Sequence, residues 1–326
     1  MLLLVLVLSQ TGCGALGLIL DKAVDGLESV LLDCYQNPNS DGSCPFDDIT
    51  FWLYTRAEPN GIQITEENMV SLPIDQDQPW KIIYHGYGCN KDLTPGPELK
   101  AAYLSRGAYN LLILDVGGPF MFNKTYLCYP RAAIDSLDLV GKCTAALLLR
   151  LREAGVLPPL DALHFIGHSL GAHAAAEACG ILNARGIGKV RRLTGLDPAG
   201  PFFHRNYTRP GRVISPEDAT YVDVYHTNGG DQLLQFGTRD RRGVVDVRFN
   251  GGGSQPGCND TSCNHARAVE YFAESINPKA PAYRVFLGHP VDTTQPNTIL
   301  VGEYISFDVR GEIAVSTNAQ SPYAQN

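Results

Sequence analysis

Residues 163–180 read LHFIGHSLGAHAAAEACG: an apolar run, then Gly167-His168-Ser169-Leu170-Gly171, then a run of small residues. A serine between glycines that follows an apolar strand and opens a helix sits where a strained turn lifts its Oγ above a sheet edge. Ala172, Ala174 and Ala175 let that helix and strand approach closely. Ser169 is therefore the candidate nucleophile. A serine hydroxyl attacks poorly until a base takes its proton, and the base needs a carboxylate to hold its tautomer and stabilise the imidazolium. With this motif the chain order is serine, acid, histidine. Asp197, in GLDPAGP just past the strand VRRLT, is the candidate acid.

The chain has eight histidines. His265 is the candidate base, because it follows Asp197 and lies in a cysteine-rich segment immediately before a helical pattern. His226, ending a strand ahead of Gly229-Gly230, is the alternative. His168 and His173 adjoin the nucleophile and are expected to pack or hydrogen-bond locally. His204 and His289 are expected at the surface and His164 in a strand. A tetrahedral intermediate also needs two preorganised N–H donors, one from the residue after the nucleophile and one from an early glycine-containing loop. Leu170 supplies the first. In YHGYG, Gly86 lets the backbone turn and Tyr87 supplies the second, with His85 in a position to brace the loop.

The elements that must position these residues alternate. TFWLYTR (50–56) alternates as a strand, and WKIIYHGYG and YNLLILDVGG are apolar runs ending in glycines, as buried strands entering functional loops do. Residues 131–152 carry apolar positions at helical spacing and stop before Gly155 and Pro158. ALHFIG then leads into Ser169, LGAHAAAEACGILNA follows as a helix, and KVRRLT is the next strand. YVDVYHT and GVVDVRF are further strands, CNHARAVEYFAESI is an amphipathic helix capped by Asn264 or Ser262, and residues 304–326 are strand-like. Strands alternating with helices imply an α/β fold built on a mostly parallel sheet.

A chain of 326 residues, 44% hydrophobic and 18% charged, is long enough to bury about three quarters of its unfolded surface. Its net charge of −8 and lack of any basic cluster argue against nucleic acid, whose phosphates need a basic face. Residues 2–20 carry no charge, and the apolar run 2–8 followed by small residues reads as a signal peptide over residues 1–17, with an uncleaved membrane anchor as the alternative; either implies export. Export leaves eight of the nine cysteines after Cys13 is removed, an even set that suggests disulfides. The sequence-local pairs Cys34 with Cys44 and Cys258 with Cys263 are the simplest. Asn123, Asn206 and Asn259 each begin an Asn-X-Thr sequon, expected in surface loops.

Taken together, WKIIYHGYGCNKD, GHSLGAHAA, GLDPAGP, SPEDATYVDVYHTNGG, FNGGGSQPGC and CNHARAVEYFAESI resemble the pancreatic-lipase-like family of animal lipases in its short invertebrate form. The resemblance runs from about Thr50 to the tail and implies an α/β-hydrolase fold over residues 18–326, hydrolysing carboxylic esters of lipids. It matches Ser169, Asp197 and His265 to the family's triad, with Tyr87 and Leu170 in its oxyanion hole. Digestive members carry a β-sandwich domain that binds a protein cofactor; none is expected after residue 326, so no colipase-type partner is implied and a monomer is expected. Family members with yolk functions lack working triads, which leaves a non-catalytic lipid-binding protein as an alternative here, and an esterase or peptidase on the same fold as another.

In this family two cysteines bracket the lid, and Cys258 and Cys263 leave only four residues between them. A lid that short resembles phospholipase A1 members rather than triacylglycerol lipases, whereas NGGDQLLQFGTRDRRG, the neighbouring loop, is as long as in the latter. GVVDVRFNGG and Val116 also depart from the usual family residues, at positions that line substrate. The family's calcium loop carries a run of acids where RVISPEDA offers only Glu217 and Asp218, so neither a bound metal nor another cofactor is expected.

Overall fold

The computed structural model describes residues 44–45, 48–116, 136–200, 203, 213–230, 235–277, 285–291 and 298–325. In chain order these residues form strands β1 (Ile49–Tyr54), β2 (Ile62–Gln63), β3 (Trp80–Tyr84) and β4 (Asn110–Val116), with helix α1 (Gly96–Arg106) between β3 and β4. Helix α2 (Leu137–Glu153), β5 (Leu163–His168), helix α3 (Leu170–Ala184), β6 (Val190–Leu196) and β7 (Ala219–His226) follow. The remainder is β8 (Val245–Phe249), helix α4 (Thr261–Ile276), β9 (Phe286–Pro290), β10 (Ile299–Val301) and β11 (Gly311–Val315).

All 11 strands join one sheet in the order β10-β9-β11-β8-β7-β6-β5-β3-β4-β1-β2. The run from β4 to β11 through β3, β5, β6, β7 and β8 is parallel, while β1, β2, β9 and β10 pair antiparallel at the margins. The helices cover both faces, so the central strands are apolar on each side and alternate residues feed separate cores. Ile82, Leu112, Phe165 and Leu193 pack with Leu148 of α2 and Ala174 of α3. Ile83, Ile113, Ile166 and Leu196 pack with Leu99 of α1 and Phe272 of α4. The expected α/β architecture with a mostly parallel sheet is the one observed.

Two local expectations are corrected. Cys44 is bonded to Cys143, not to Cys34, and so ties the segment before β1 to α2 across 99 residues; Cys34 itself lies outside the described residues. Cys258 and Cys263 are paired as expected. Helix α4 is capped by Asp260, whose Oδ1 accepts the Cys263 N–H at 2.8 Å, in place of Asn264 or Ser262. The signal peptide, the sequons at Asn123 and Asn206, His204 and the first residues of the 131–152 helix fall outside the described residues.

Beneath the sheet lies a buried polar cluster. Lys81 of β3 donates to Glu303 Oε1 at 2.5 Å, and Tyr103 of α1 donates to its Oε2 at 2.7 Å. Arg192 of β6 makes a paired contact with Asp223 of β7 at 3.0 and 2.7 Å. The Lys81 and Glu303 side chains are each 8% exposed. Removing one partner leaves a buried charge uncompensated, so Glu303→Ala is expected to cost about 3–5 kcal/mol, measured as the loss in urea unfolding free energy. A cost below about 1 kcal/mol would mean that solvent reaches Lys81 and replaces the carboxylate.

Candidate active site

Because β3, β5, β6 and β7 run parallel, the segments that follow them gather at one edge of the sheet. Ser169 follows β5 with φ 56° and ψ −123°, a conformation outside the usual wells for a non-glycine residue. It is held there by its N–H, which donates to Leu196 O at 3.0 Å, while its carbonyl accepts the Ala172 N–H at 3.1 Å. Leu170 is the first residue of α3, so its N–H belongs to the initial turn that has no intrahelical acceptor. On the next strand Asp197 also has positive φ, 44°, and its N–H donates to Tyr225 O at 2.7 Å.

The Asp197 carboxylate is fully buried and completely engaged. Its Oδ1 accepts the backbone N–H groups of Thr227 at 2.9 Å and Asn228 at 3.1 Å. Its Oδ2 accepts from His265 Nδ1 at 2.5 Å. With Nδ1 protonated and held by the carboxylate, Nε2 of His265 carries the lone pair that a base needs. The His265 ring lies 4.5 Å from that of His168, the residue preceding Ser169, which brings base and nucleophile to the same end of the sheet. Phe236 meets the His265 ring edge-on at 5.5 Å.

His226 cannot compete for the role. Its Nδ1 faces Thr238 O at 2.9 Å and its Nε2 faces Asp246 Oδ1 at 2.8 Å, so both nitrogens point at acceptors and neither offers a lone pair to a serine. Four more of the described histidines are held in structural bonds, and His289 is exposed as expected. His85 Nε2 accepts the Val116 N–H at 2.9 Å, which places its proton on Nδ1 for donation to Gly86 O at 2.9 Å and braces the Gly86-Tyr87 turn. His173 accepts the Ile214 N–H at 3.2 Å, donates to Ala199 O at 2.9 Å, and stacks on Phe203. His168 donates to the His265 carbonyl at 3.3 Å, and His164 bridges Lys81 and Thr194.

Gly237 and the segment around it carry no cue in the sequence, yet they support the acid. A Cβ on Gly237 would lie 2.4 and 2.5 Å from the Asp197 carboxylate oxygens, so only glycine lets this loop back onto the acid. The Thr238 N–H donates to Pro198 O at 2.9 Å, and the Phe236 N–H to Asn228 Oδ1 at 2.9 Å. The described part of this long loop is thus built into the support of Asp197 and His265. Asn259, between the paired Cys258 and Cys263, is exposed.

Burial holds the imidazolium forms of these histidines at a disadvantage. His85 and His173 are lowered to about 4, and His164 and His168 fall well below the ordinary value, desolvation being the leading cause in each. Below about pH 6.5 the unfolded chain takes up protons that the native state refuses, so stability falls as pH falls, by up to about 1.4 kcal/mol per pH unit for each such group. The urea midpoint is therefore expected to drop between pH 7 and pH 5. A flat midpoint over that range would mean these rings are hydrated in the folded protein.

Comparison with known proteins places the chain. Pancreatic triacylglycerol lipase of Cavia porcellus is 33% identical over 256 residues, covering 71% of this chain and 52% of the relative. Pancreatic lipase-related protein 2 of the same species is 47% identical over 249 residues, covering 74% and 53%. Phospholipase A1 of Polybia paulista is 29% identical over 306 residues, covering 87% and 92%. The chain thus spans about half the length of the two pancreatic relatives and most of the wasp one. The family model described as Lipase matches residues 39–290, a span that contains Tyr87, Ser169, Leu170, Asp197 and His265; the chain belongs to the Lipase family.

Proposed function

We propose that the chain is an exported serine hydrolase that cleaves carboxylic esters of lipids. The observation that carries the reading is the buried Asp197–His265 hydrogen bond of 2.5 Å at the sheet edge that also holds the strained Ser169 turn. Ser169 Oγ attacks the ester carbonyl carbon as His265 Nε2 takes its proton, and the N–H groups of Leu170 and Tyr87 receive the developing oxyanion. Collapse expels the alcohol, which takes the proton from His265, and leaves an acyl-enzyme on Ser169. Water, activated by the same histidine, releases the fatty acid. Export is supported by disulfides such as Cys44–Cys143 and Cys258–Cys263, which persist in oxidising compartments.

Phospholipid is the favoured substrate, read in the phospholipase A1 sense. The segment between Cys258 and Cys263 is closed by the disulfide and committed to capping α4 through Asp260, so it is too short and too constrained to cover an acyl chain. In the neighbouring loop, the described residues Phe236, Gly237 and Thr238 are tied to Asn228, Asp197 and Pro198. A polar headgroup keeps the open space such a site offers. The protein's working partner is therefore a lipid surface.

The test pairs phosphatidylcholine vesicles with emulsified triacylglycerol and uses Ser169→Ala as control. Fatty acid is expected from phosphatidylcholine with little from triacylglycerol, and Ser169→Ala is expected to lower the rate by about 10^5-fold or more. Preference for triacylglycerol would overturn the substrate assignment, and hydrolysis of neither lipid would overturn the enzymatic reading.

A further inference from the structure

Gln255 has no place in the chemistry above, yet it is 3% exposed and every polar group it owns is engaged. Its Nε2 donates to two backbone carbonyls, Thr227 O and Phe249 O, both at 2.9 Å. Its Oε1 accepts from Asn250 Nδ2 at 2.8 Å and from the Tyr271 hydroxyl at 3.3 Å. Two carbonyls on one side and two donors on the other fix which end of the amide is nitrogen. The Gln255 N–H donates to Asn264 Oδ1 at 2.6 Å, and its carbonyl accepts the Cys258 N–H at 3.1 Å.

Two of these bonds lead straight to the candidate triad. The Thr227 peptide that gives its carbonyl to Gln255 gives its N–H to Asp197 Oδ1 at 2.9 Å. Asn264, which holds the Gln255 backbone, immediately precedes His265 and is itself fixed by donation to Asp260 O at 2.9 Å in the first turn of α4. The path Asp197, Thr227, Gln255, Asn264, His265 is closed by the 2.5 Å bond between His265 and Asp197. Acid and base come from segments 68 residues apart, and Gln255 fastens the end of β7 to α4, its side chain holding Thr227 O and the Tyr271 hydroxyl and its backbone N–H holding Asn264.

We propose that Gln255 is a positioning residue that sets the register between Asp197 and His265, in support of the hydrolase reading above. A fully satisfied buried amide has one geometry in which all its bonds are made, and a displacement of about 1 Å at a reacting group costs on the order of 10²-fold in rate. Methionine has nearly the volume of glutamine and can make none of the four side-chain bonds. Glutamate would set an acceptor against the Thr227 and Phe249 carbonyls.

The experiment is a double-mutant cycle with an activated ester in mixed micelles, measured well below each variant's melting temperature. In the parent background Gln255→Met is expected to lower kcat about 10- to 100-fold with KM within about twofold. In an Asp197→Asn background, where the base is already misdirected, the same change is expected to cost less than about threefold. Asn264→Ala removes the other end of the link and is expected to behave in the same way, so it decides the matter if Gln255→Met does not fold. Equal losses in the two backgrounds, or an unchanged kcat in folded variants, would overturn the positioning role. If the parent shows no hydrolysis that Ser169→Ala abolishes, the hydrolase reading fails and this role with it; an active parent with an additive cycle removes only the role of Gln255.

Discussion

Asp197→Asn is expected to lower kcat by about 10^4-fold while KM stays near the parent value and the protein remains folded. The surroundings of the carboxylate determine this. Oδ1 accepts two backbone N–H groups, from Thr227 and Asn228, so an asparagine in this place must turn its carbonyl oxygen toward them and its NH₂ toward His265. The ring can then meet that NH₂ only with an unprotonated Nδ1, which moves its proton to Nε2, the nitrogen that must take the proton of Ser169. The base is thereby presented with its lone pair on the wrong side. Asparagine is close in shape to aspartate and clears the backbone of Gly237, so the loss is in chemistry and not in packing. Steady-state kinetics on vesicles, with circular dichroism to show the fold, measure it. A loss of less than about tenfold would remove Asp197 from the role of acid.

Much of this site can be read in the sequence, because its chemistry follows strands. Ser169 and Asp197 each come directly after a strand, and in a parallel sheet the residues that follow such strands share one edge. His265 follows from chain order, but it lies within the first turns of α4 (Thr261–Ile276) and not in a segment ahead of that helix, because the Asp260 cap starts the helix earlier. What the sequence conceals depends on long-range packing. Cys44 meets Cys143 across 99 residues because the segment before β1 lies against α2, which no local spacing reports. Helix α1, GPELKAAYLSR, is only weakly amphipathic and so leaves little periodic signal, and it is secured by burying Leu99 and Tyr103. The short marginal strands β9 and β10 owe their existence to neighbours in the sheet more than to their own residues. Gly237 and Gln255 carry no periodic signal, and their importance appears only when the Asp197 carboxylate and the start of α4 stand beside them. His85 lies between these cases: its place beside the oxyanion turn is legible, while its bond from the Val116 N–H requires the pairing of β3 with β4.

The second large effect concerns the turn that His85 braces. Gly86→Ala is expected to lower kcat about 10²- to 10³-fold, the loss that follows removal of one oxyanion donor. A Cβ at this position would lie 2.9 Å from Ser169 Cβ and 3.2 Å from His168 O, closer than such atoms approach one another. One of the two segments must give way. The Ser169 turn is held by the bond from its N–H to Leu196 O and by the start of α3, whereas the Gly86 side continues into an irregular segment with Cys89 N–H on Gly86 O at 3.3 Å. The looser side moves, carrying the Tyr87 N–H away from the point where the oxyanion forms. The ground-state ester does not need that donor, so KM is expected to change little, and the Ser169, His265 and Asp197 groups stay in place to react with a phosphonate ester that traps the serine. A folded Gly86→Ala protein with kcat within about threefold of the parent would instead mean that the Tyr87 N–H is not the second donor and that the oxyanion is held from another loop.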